Sequence, residues 1–377
     1  MTPQVEIQLI AVIIAVACSL PGVFLVLRKM SMMSDSITHT ILLGIVLAFF
    51  MVHDLSSPLL IAGAAMMGVM TVWLTELLHK TKLLSEDSAI GVVFPLLFSI
   101  AIILITRYAG SVHLDTDSVL LGELAFAPFD RMVAFGVDIG ARAIYLSGAL
   151  LFMNLIAIVL FFKELKLSTF DPMLAAVLGF SPVLLHYGLM TLVSVTAVGA
   201  FQAVGSVLVV AFMIGPPVTA YLLADDLKKM LCLSAGIGAV SGLSGYWLAS
   251  ILDVSIAGSM AVMVGIIFLV VFLVAPKRGL FSMLFRKRNQ RTEFAKNTLL
   301  LHLYRHQGSA SEAWEAGQNS IGCHLRWKSS QTTDIVRRLK VEGAIMVEDE
   351  VIKLTPRGVL RCEALCQEYA IVANESI

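Results

Sequence analysis

Nine apolar segments, each about as long as a lipid bilayer is thick, constrain this chain more than any other feature of its sequence. A helix needs roughly 20 apolar residues to cross the hydrocarbon core of a membrane. The segments lie at 6–27, 36–52, 57–78, 89–107, 143–162, 183–201, 204–223, 230–251 and 255–275. Hydrophobic residues make up 58% of the chain and charged residues only 14%, which excludes a soluble globular protein. We therefore expect a mainly α-helical, polytopic membrane protein with about nine transmembrane helices.

The charged residues divide the chain into two regions. Residues 1–276 contain 11 Lys/Arg and 16 Asp/Glu, whereas residues 277–377 contain 16 Lys/Arg and 11 Asp/Glu. The apolar segments end at the same boundary, and about 100 residues suffice for a small domain that folds by itself. The sequence therefore predicts three parts: a transmembrane domain (1–280), a basic juxtamembrane linker suited to anionic lipid (281–292) and a small C-terminal domain (293–377).

Basic residues between the segments predict the orientation, because Lys and Arg collect in cytoplasmic loops. One side of the predicted membrane domain carries four basic pairs and the tail; the pairs are Arg28/Lys29, Lys80/Lys82, Lys163/Lys166 and Lys228/Lys229. We therefore expect the N-terminus to lie outside and the C-terminal domain to lie in the cytoplasm.

The second apolar segment opens with a carboxylate and an imidazole in helical register. Asp35 and His39 are four residues apart, so a helix places both on one face. Ionisable side chains inside a membrane are costly and commonly mark an ion path or a proton relay. A carboxylate oxygen with an imidazole nitrogen suits Mn²⁺, Fe²⁺ or Zn²⁺. An interhelical hydrogen-bonded pair without a ligand is the alternative, and two ligands alone do not complete a metal site.

Three stretches carry a family resemblance. The run Asp35-Ser-Ile-Thr-His39 followed by Gly44 resembles the second transmembrane helix of the manganese/zinc/iron permease family of ATP-binding-cassette importers. Residues 170–179 resemble the cytoplasmic coupling segment of that family, and residues 204–220 resemble its glycine-to-proline membrane helix. The likeness covers roughly residues 5–280. It implies that Asp35 and His39 line the ion path, that the cargo is a divalent metal with no permanently bound cofactor, and that the chain lies in the bacterial cytoplasmic membrane. The carboxylate–imidazole pair, together with the resemblance of the C-terminal region described below, favours Mn²⁺ over Fe²⁺ and Zn²⁺.

The coupling segment also has a local structural signature. Asp171 is a good helix N-cap and Pro172 a good first-turn residue, which predicts a short helix on the cytoplasmic side. An ordinary interhelical loop is the alternative. The resemblance implies docking to a cytoplasmic ATPase subunit through six positions: Phe170, Asp171, Pro172, Leu174, Ala175 and Gly179. The chain has no GxxxxGK[ST] loop for nucleotide, so it is expected not to be an enzyme.

Two further partners follow from the resemblance. A second permease subunit, either another copy or a paralogue, would contribute its own Asp and His and so supply four ligands. An extracytoplasmic metal-binding protein would deliver the ion to the outer face. Candidates for outer docking or an outer gate are His53, Asp54, His113, Asp115 and Asp117, although solvated loop charges are the commoner explanation. At the cytoplasmic end of the third segment, Glu76 and His79 are expected to form an interfacial pair.

The C-terminal region has the order helix, helix, helix, hairpin, helix, which is that of a winged helix. Its stretch from Leu339 to Gly358 resembles the DNA-binding half of iron/manganese-dependent repressors. Tyr369 and Ala373 stand where those repressors have metal ligands, so the same sensing site is not expected. His302, His306 and His324 are candidates for a different site, with a solvated face as the alternative. Nucleic acid is an unlikely partner because Glu348, Asp349 and Glu350 would repel a phosphate backbone.

Two rival functions remain open at this point. A membrane-anchored, metal-responsive transcription regulator would use the spans only to hold the tail, but nine spans with an intramembrane Asp/His pair exceed that need. A proton-coupled secondary metal transporter would use Asp35 and His39 as a relay and would need no ATPase. The preferred hypothesis is the permease subunit of an ATP-driven importer, with the tail as a regulatory or dimerisation domain.

Overall fold

The computed structural model describes residues 2–53, 57–108, 124–134, 137–309, 312–317, 320–348 and 350–368. The chain divides into two compact units, residues 1–279 and 280–377. Each unit has its own hydrophobic core.

Where the structure describes it, the first unit is helical apart from one small hairpin. Its helices are α1 (Pro3–Leu27), α2 (Ser31–Val52), α3 (Pro58–Lys80), α4 (Glu86–Tyr108), α5 (Arg142–Leu160), α6 (Phe162–Phe170), α7 (Pro172–Val177), α8 (Pro182–Val204), α9 (Ser206–Leu223), α10 (Leu227–Leu252) and α11 (Ile256–Val274). Among the described residues, nine helices are long and apolar enough to cross a membrane, namely all of these except α6 and α7. The predicted polytopic helical fold is confirmed.

Helix α1 forms the centre of this unit. It packs against α5, α8, α9 and α10, and most of its residues are buried. A Cβ on Gly22 would lie 2.0 Å from the main-chain oxygen of Met213, so only glycine lets α1 approach α9 this closely. Helices α2, α3 and α4 pack against one another, and α2 and α3 also contact α8.

Glycine also explains two other features of the membrane unit. Gly205 has φ +80 and separates α8 from α9, so the two nearly continuous apolar segments are distinct helices. A Cβ on Gly44 of α2 would lie 2.5 Å from the main-chain oxygen of Gly63 on α3. Gly68 and Gly238 lie in the same kind of close contact, facing Ser194 of α8 and Ala15 of α1.

A short hairpin precedes α5. Strands β1 (Arg131–Ala134) and β2 (Val137–Ala141) pair antiparallel, between the fourth and fifth apolar segments. Arg131 Nη1 lies 3.7 Å from Oε2 of Glu6, whose side chain is buried near the start of α1. This ion pair ties the hairpin to α1.

The described part of the second unit comprises five helices and one hairpin. The elements are α12 (Leu280–His306), α13 (Glu312–Glu315), α14 (Ile321–His324), α15 (Ser329–Val341), β3 (Ile345–Glu348), β4 (Val351–Leu354) and α16 (Pro356–Glu368). Strands β3 and β4 pair antiparallel. Residues 281–292, predicted as a linker, are helical because α12 runs unbroken from Leu280.

An ionic network closes one side of the core of the second unit. Lys296 on α12 is buried and donates hydrogen bonds to the carboxylates of Glu293 and Glu342. Arg361 on α16 donates to the second oxygens of the same carboxylates, at 2.9 Å to Glu342 and 3.0 Å to Glu293. The buried ammonium group is therefore neutralised and hydrogen-bonded.

Candidate functional site

Asp35 and His39 lie on one face of α2, as their spacing predicts. The Nε2 atom of His39 is 3.5 Å from Oδ1 of Asp35, and the two side chains are 27% and 36% exposed. Asp35 is the fifth residue of α2, which places both groups within its first three turns. They offer a nitrogen and an oxygen to the same point in space, as a shared metal ion requires.

The imidazole of His39 is flanked by aromatic rings. The rings of Phe94 and Phe98 on α4 lie 5.5 and 5.7 Å from it, measured between centroids. Among the described residues, no third His, Cys, Asp or Glu joins Asp35 and His39 in a group of three potential ligands. One copy of the chain thus presents a partly exposed two-ligand face.

A polar cavity lies at the end of the unit where α1 and α3 finish and α4 and α8 begin. Its volume is about 580 Å³, and its walls include Lys29, Glu76, Lys80, Glu86 and His186. Arg28, Lys29 and Lys80, which belong to two of the basic pairs that predict the cytoplasmic side, line it. Met33, on α2 near Asp35, also lines the cavity.

Glu76 makes the strongest polar contacts in this cavity. Its Oε1 lies 2.5 Å from Nε2 of His186, and its Oε2 accepts a 2.7 Å hydrogen bond from the hydroxyl of Tyr187. The expected pairing of Glu76 with His79 does not form, because His79 lies instead with Nδ1 3.2 Å from the main-chain oxygen of Leu84. Glu76 therefore connects α3 to α8.

Arg28 extends the same network from the end of α1. Its guanidinium lies 3.2 Å from Nδ1 of His186 and donates to the hydroxyls of Ser168, at 2.8 Å, and Thr169, at 3.1 Å, on α6. Arg28 thus joins α1, α6 and α8 around one cavity. The sequence showed Arg28 only as an orientation signal.

The predicted coupling segment forms a short helix. The Oδ1 atom of Asp171 accepts a 2.9 Å hydrogen bond from the backbone N–H of Leu174, and Pro172 begins the helix α7, as predicted. Gly179 follows with φ +88, a conformation that other residues rarely adopt. The Asp171 cap and Gly179 therefore fix where α7 begins and where the chain turns after it.

One face of α7 is apolar and exposed. Met173 and Val177, one turn apart, are each 83% exposed, and Phe170 and Leu174 are exposed beside them. Ala175 is buried, so it anchors the helix rather than presenting itself to a partner. The six docking positions predicted from the resemblance did not include Met173 and Val177; their i, i+4 spacing was the available signal.

The candidates for the outer face are only partly described. His53 is the C-cap of α2, with φ 56, and its backbone N–H donates to the main-chain oxygen of Phe49 at 2.7 Å. Asp54, His113, Asp115 and Asp117 lie outside the described residues.

Comparison with known proteins gives a consistent result for the membrane unit. The profile of the ABC 3 transport family matches residues 5–275. The zinc transport system membrane protein TroD of Treponema pallidum is 44% identical over 359 residues, which cover 95% of this chain and 98% of that protein. The manganese transport system membrane protein MntD of Bacillus subtilis is 45% identical over 284 residues, covering 75% of this chain and 96% of that protein.

A solved structure is also similar. PsaBC from Streptococcus pneumoniae, in complex with Fab, matches with a TM-score of 0.62 and 28% identity, covering 74% of this chain and 94% of that one. The described helices, the family profile and the relatives thus agree on the membrane unit. This chain belongs to the ABC 3 transport family: it is a multi-pass permease of the cell membrane, and the ATPase activity resides on a separate subunit.

Proposed function

We propose that this chain is the permease subunit of an ATP-driven importer of divalent transition metals, with Mn²⁺ favoured and Zn²⁺ as the alternative. The observation that carries the proposal is the Asp35–His39 pair on one partly exposed face of α2. Its oxygen and nitrogen donors suit both ions. The names of MntD and TroD support manganese and zinc. The sequence also allowed Fe²⁺ as the cargo, but none of the relatives quoted above is named for iron.

A second permease subunit completes the proposed metal site. Two ligands from one chain leave Mn²⁺ or Zn²⁺ under-coordinated, and the described part of this chain brings no third ligand to Asp35 and His39. The same pair from a facing subunit would raise the number to four. The likeness to PsaBC supports a permease partner; whether it is a copy or a paralogue is left to experiment.

Coupling to the ATPase is assigned to α7. Phe170, Met173, Leu174 and Val177 present an apolar surface on the side of the basic pairs, and such a surface suits a groove in a cytoplasmic partner. The Arg28–His186–Glu76 network touches α6 next to α7. Movement of α7 would therefore be transmitted through this network to the cavity, which Met33 of α2 also lines. On the opposite face, His53, Asp54, His113, Asp115 and Asp117 are proposed to receive the metal-binding protein.

The C-terminal unit is proposed to be a cytoplasmic, winged-helix-like regulatory or dimerisation domain. Helix α15 followed by the β3–β4 hairpin and α16 supports this fold, and Ile352 N donates to Ala316 O as a third strand would. DNA binding is not proposed, because both Arg337 and Arg338 on α15 donate at 2.8 Å to Asp334. These bonds lower the pKa of Asp334. Its carboxylate therefore stays negatively charged beside Arg337 and Arg338, the side chains that would otherwise contact DNA phosphates.

Element-resolved uptake tests the transport proposal. Cells lacking their own manganese and zinc importers would express the permease with its ATPase and binding protein. Asp35→Asn and His39→Ala should each lower uptake of the cargo metal at least tenfold while leaving expression unchanged. Asp253→Asn is the matched control, because Asp253 caps α10 with φ 53, a conformation asparagine also adopts, and it should transport normally. Wild-type uptake by both variants would overturn the ion-path assignment.

The same assay separates the rival functions. ATP-driven import predicts that a hydrolysis-deficient ATPase subunit abolishes uptake. A proton-coupled transporter would continue to import metal without the ATPase and would respond to the proton gradient. A membrane-anchored regulator would show no metal uptake attributable to Asp35.

A further inference from the structure

Four potential metal ligands converge in the C-terminal unit where three helices meet. His302 and His306 are one turn apart on α12, Glu315 is the last residue of α13, and His324 is the last residue of α14. One donor atom each from His302, His306 and Glu315 lie within 4.8 Å of one another, and all three residues are partly buried. His324 approaches the same carboxylate.

The distances resemble those of a tetrahedral metal site. Oε2 of Glu315 lies 3.6 Å from Nε2 of His302 and 3.3 Å from Nδ1 of His324. Metal–ligand bonds of about 2.0–2.1 Å place neighbouring donors in a tetrahedron roughly 3.3 Å apart. The rings of His302 and His306 are 4.8 Å apart between centroids. Small side-chain rotations are thus enough to bring the donors to one point.

The alternative to a metal site is a cluster of local hydrogen bonds among these side chains. Nε2 of His302 also lies 3.2 Å from the main-chain oxygen of Glu315, and a metal bound at that nitrogen would replace this contact. One such contact does not explain why two more imidazoles surround the same carboxylate. The ring of His324 is inclined by 25° to that of His302, with the centroids 6.2 Å apart.

We infer that His302, His306, Glu315 and His324 form a binding site for a zinc-class divalent transition metal, separate from Asp35 and His39. Three imidazoles and one carboxylate, without a thiolate, are a donor set that suits tetrahedral Zn²⁺ and its substitute Co²⁺. The site differs from that of the repressors which the tail resembles.

Metal binding at this site would order the helices α13 and α14 of the C-terminal unit. Helices α13 and α14 each have four residues, too few to hold a helix by local bonds alone. A metal joins both to α12, so binding free energy becomes folding free energy. A regulatory role, in which this ordering reports cytoplasmic metal to the permease, rests on the proposed transport function. Metal binding at the site does not depend on that function.

Equilibrium dialysis of full-length protein in detergent, with Zn²⁺ as the probe, tests the site. His302→Gln with His306→Gln should remove one equivalent of Zn²⁺ per chain, or weaken it at least tenfold. Asp35→Asn with His39→Ala should leave that equivalent in place. His79→Gln is the matched histidine control and should bind as the wild type does. Co²⁺ should give the intense visible absorption of tetrahedral coordination, which disappears in the His302/His306 variant.

A measurement on the wild-type protein avoids reliance on variants that fail to fold. Saturating Zn²⁺ should slow amide hydrogen exchange at residues 312–317 and 320–324, relative to metal-free protein. Unchanged exchange there, or full Zn²⁺ stoichiometry in a folded His302/His306 variant, would overturn the inference. Failure of the transport proposal can be distinguished from failure of this inference, because it would be seen only in metal uptake by the Asp35 and His39 variants.

Discussion

Oε1 of Glu76 lies 2.5 Å from Nε2 of His186, across the interface between α3 and α8. Both side chains are mostly buried, and Glu76 also accepts a hydrogen bond from the hydroxyl of Tyr187. A buried carboxylate without these partners would be costly. This contact therefore holds α3 and α8 together beside the cavity that Glu76 and His186 line.

A double-mutant cycle on this pair should show strong coupling. Glu76→Gln and His186→Gln should each lower the free energy of unfolding by about 1–3 kcal/mol, because each leaves a buried partner unsatisfied. The double variant should lose less than the sum of the two, by about 1 kcal/mol or more. Thermal unfolding in detergent measures each step. Simple additivity would mean that Glu76 and His186 do not interact.

Loss of the Asp171 cap should affect coupling more than stability. Asp171→Ala removes the hydrogen bond to Leu174 N–H and should cost about 1 kcal/mol of local stability. Because α7 has only six residues, the helix should fray and transport-stimulated ATP hydrolysis in the reconstituted complex should fall several-fold. Asp226→Ala removes a comparable cap from α10 and serves as the control. Equal losses in both variants would contradict the assignment of α7.

Close packing at Gly44 should be intolerant of even one methyl group. A Cβ there would lie 2.5 Å from Gly63 O and 2.8 Å from Ala64 Cα, and backbone atoms must move to make room. Gly44→Ala should cost about 1–3 kcal/mol and displace the helix that carries Asp35. Gly148→Ala on α5, where nothing lies within 4 Å, should be neutral or stabilising. A melting temperature for Gly44→Ala at or above that of Gly148→Ala would argue against this packing.

The sequence predicted those features that depend on local pattern. The nine long apolar runs correspond to nine membrane-length helices in the part of the chain that the structure describes, and the four-residue spacing placed Asp35 and His39 on one face. Asp171 and Pro172 predicted the start of α7 because a cap and a first-turn proline act within one turn.

Features that depend on tertiary contact were not predicted. Glu76 has His79 one turn away in sequence, yet it pairs with His186 because α3 packs against α8. No spacing rule connects two helices so far apart in the chain. The linker 281–292 was predicted from its charge, but basic residues also favour helix, and α12 continues through them. The convergence of Glu315 with His302 likewise depends on the packing of three helices.

The stability of the C-terminal unit should depend on pH through Glu342. Burial raises the pKa of this carboxyl, but hydrogen bonds from Lys296 and Arg361 outweigh it, and the net pKa lies below the ordinary value. A carboxyl with a lowered pKa in the folded state stabilises at pH values above its unfolded pKa of about 4.3. That contribution is lost as the pH falls through the folded pKa. Glu342→Gln should therefore cost about 1 kcal/mol at pH 7, discounted for partial exposure, and much less at pH 3–4.

Tryptophan fluorescence isolates this unit within the full chain. Of the four tryptophans, Trp73 and Trp247 lie in membrane helices and can be replaced by Phe, leaving Trp314 and Trp327 as reporters of urea unfolding. Asp334→Asn is the control, because its partners Arg337 and Arg338 are exposed on α15 and such pairs contribute little. If the difference between wild type and Glu342→Gln were the same at pH 7 and pH 3.5, the network around Lys296 would not be the source of the stabilisation.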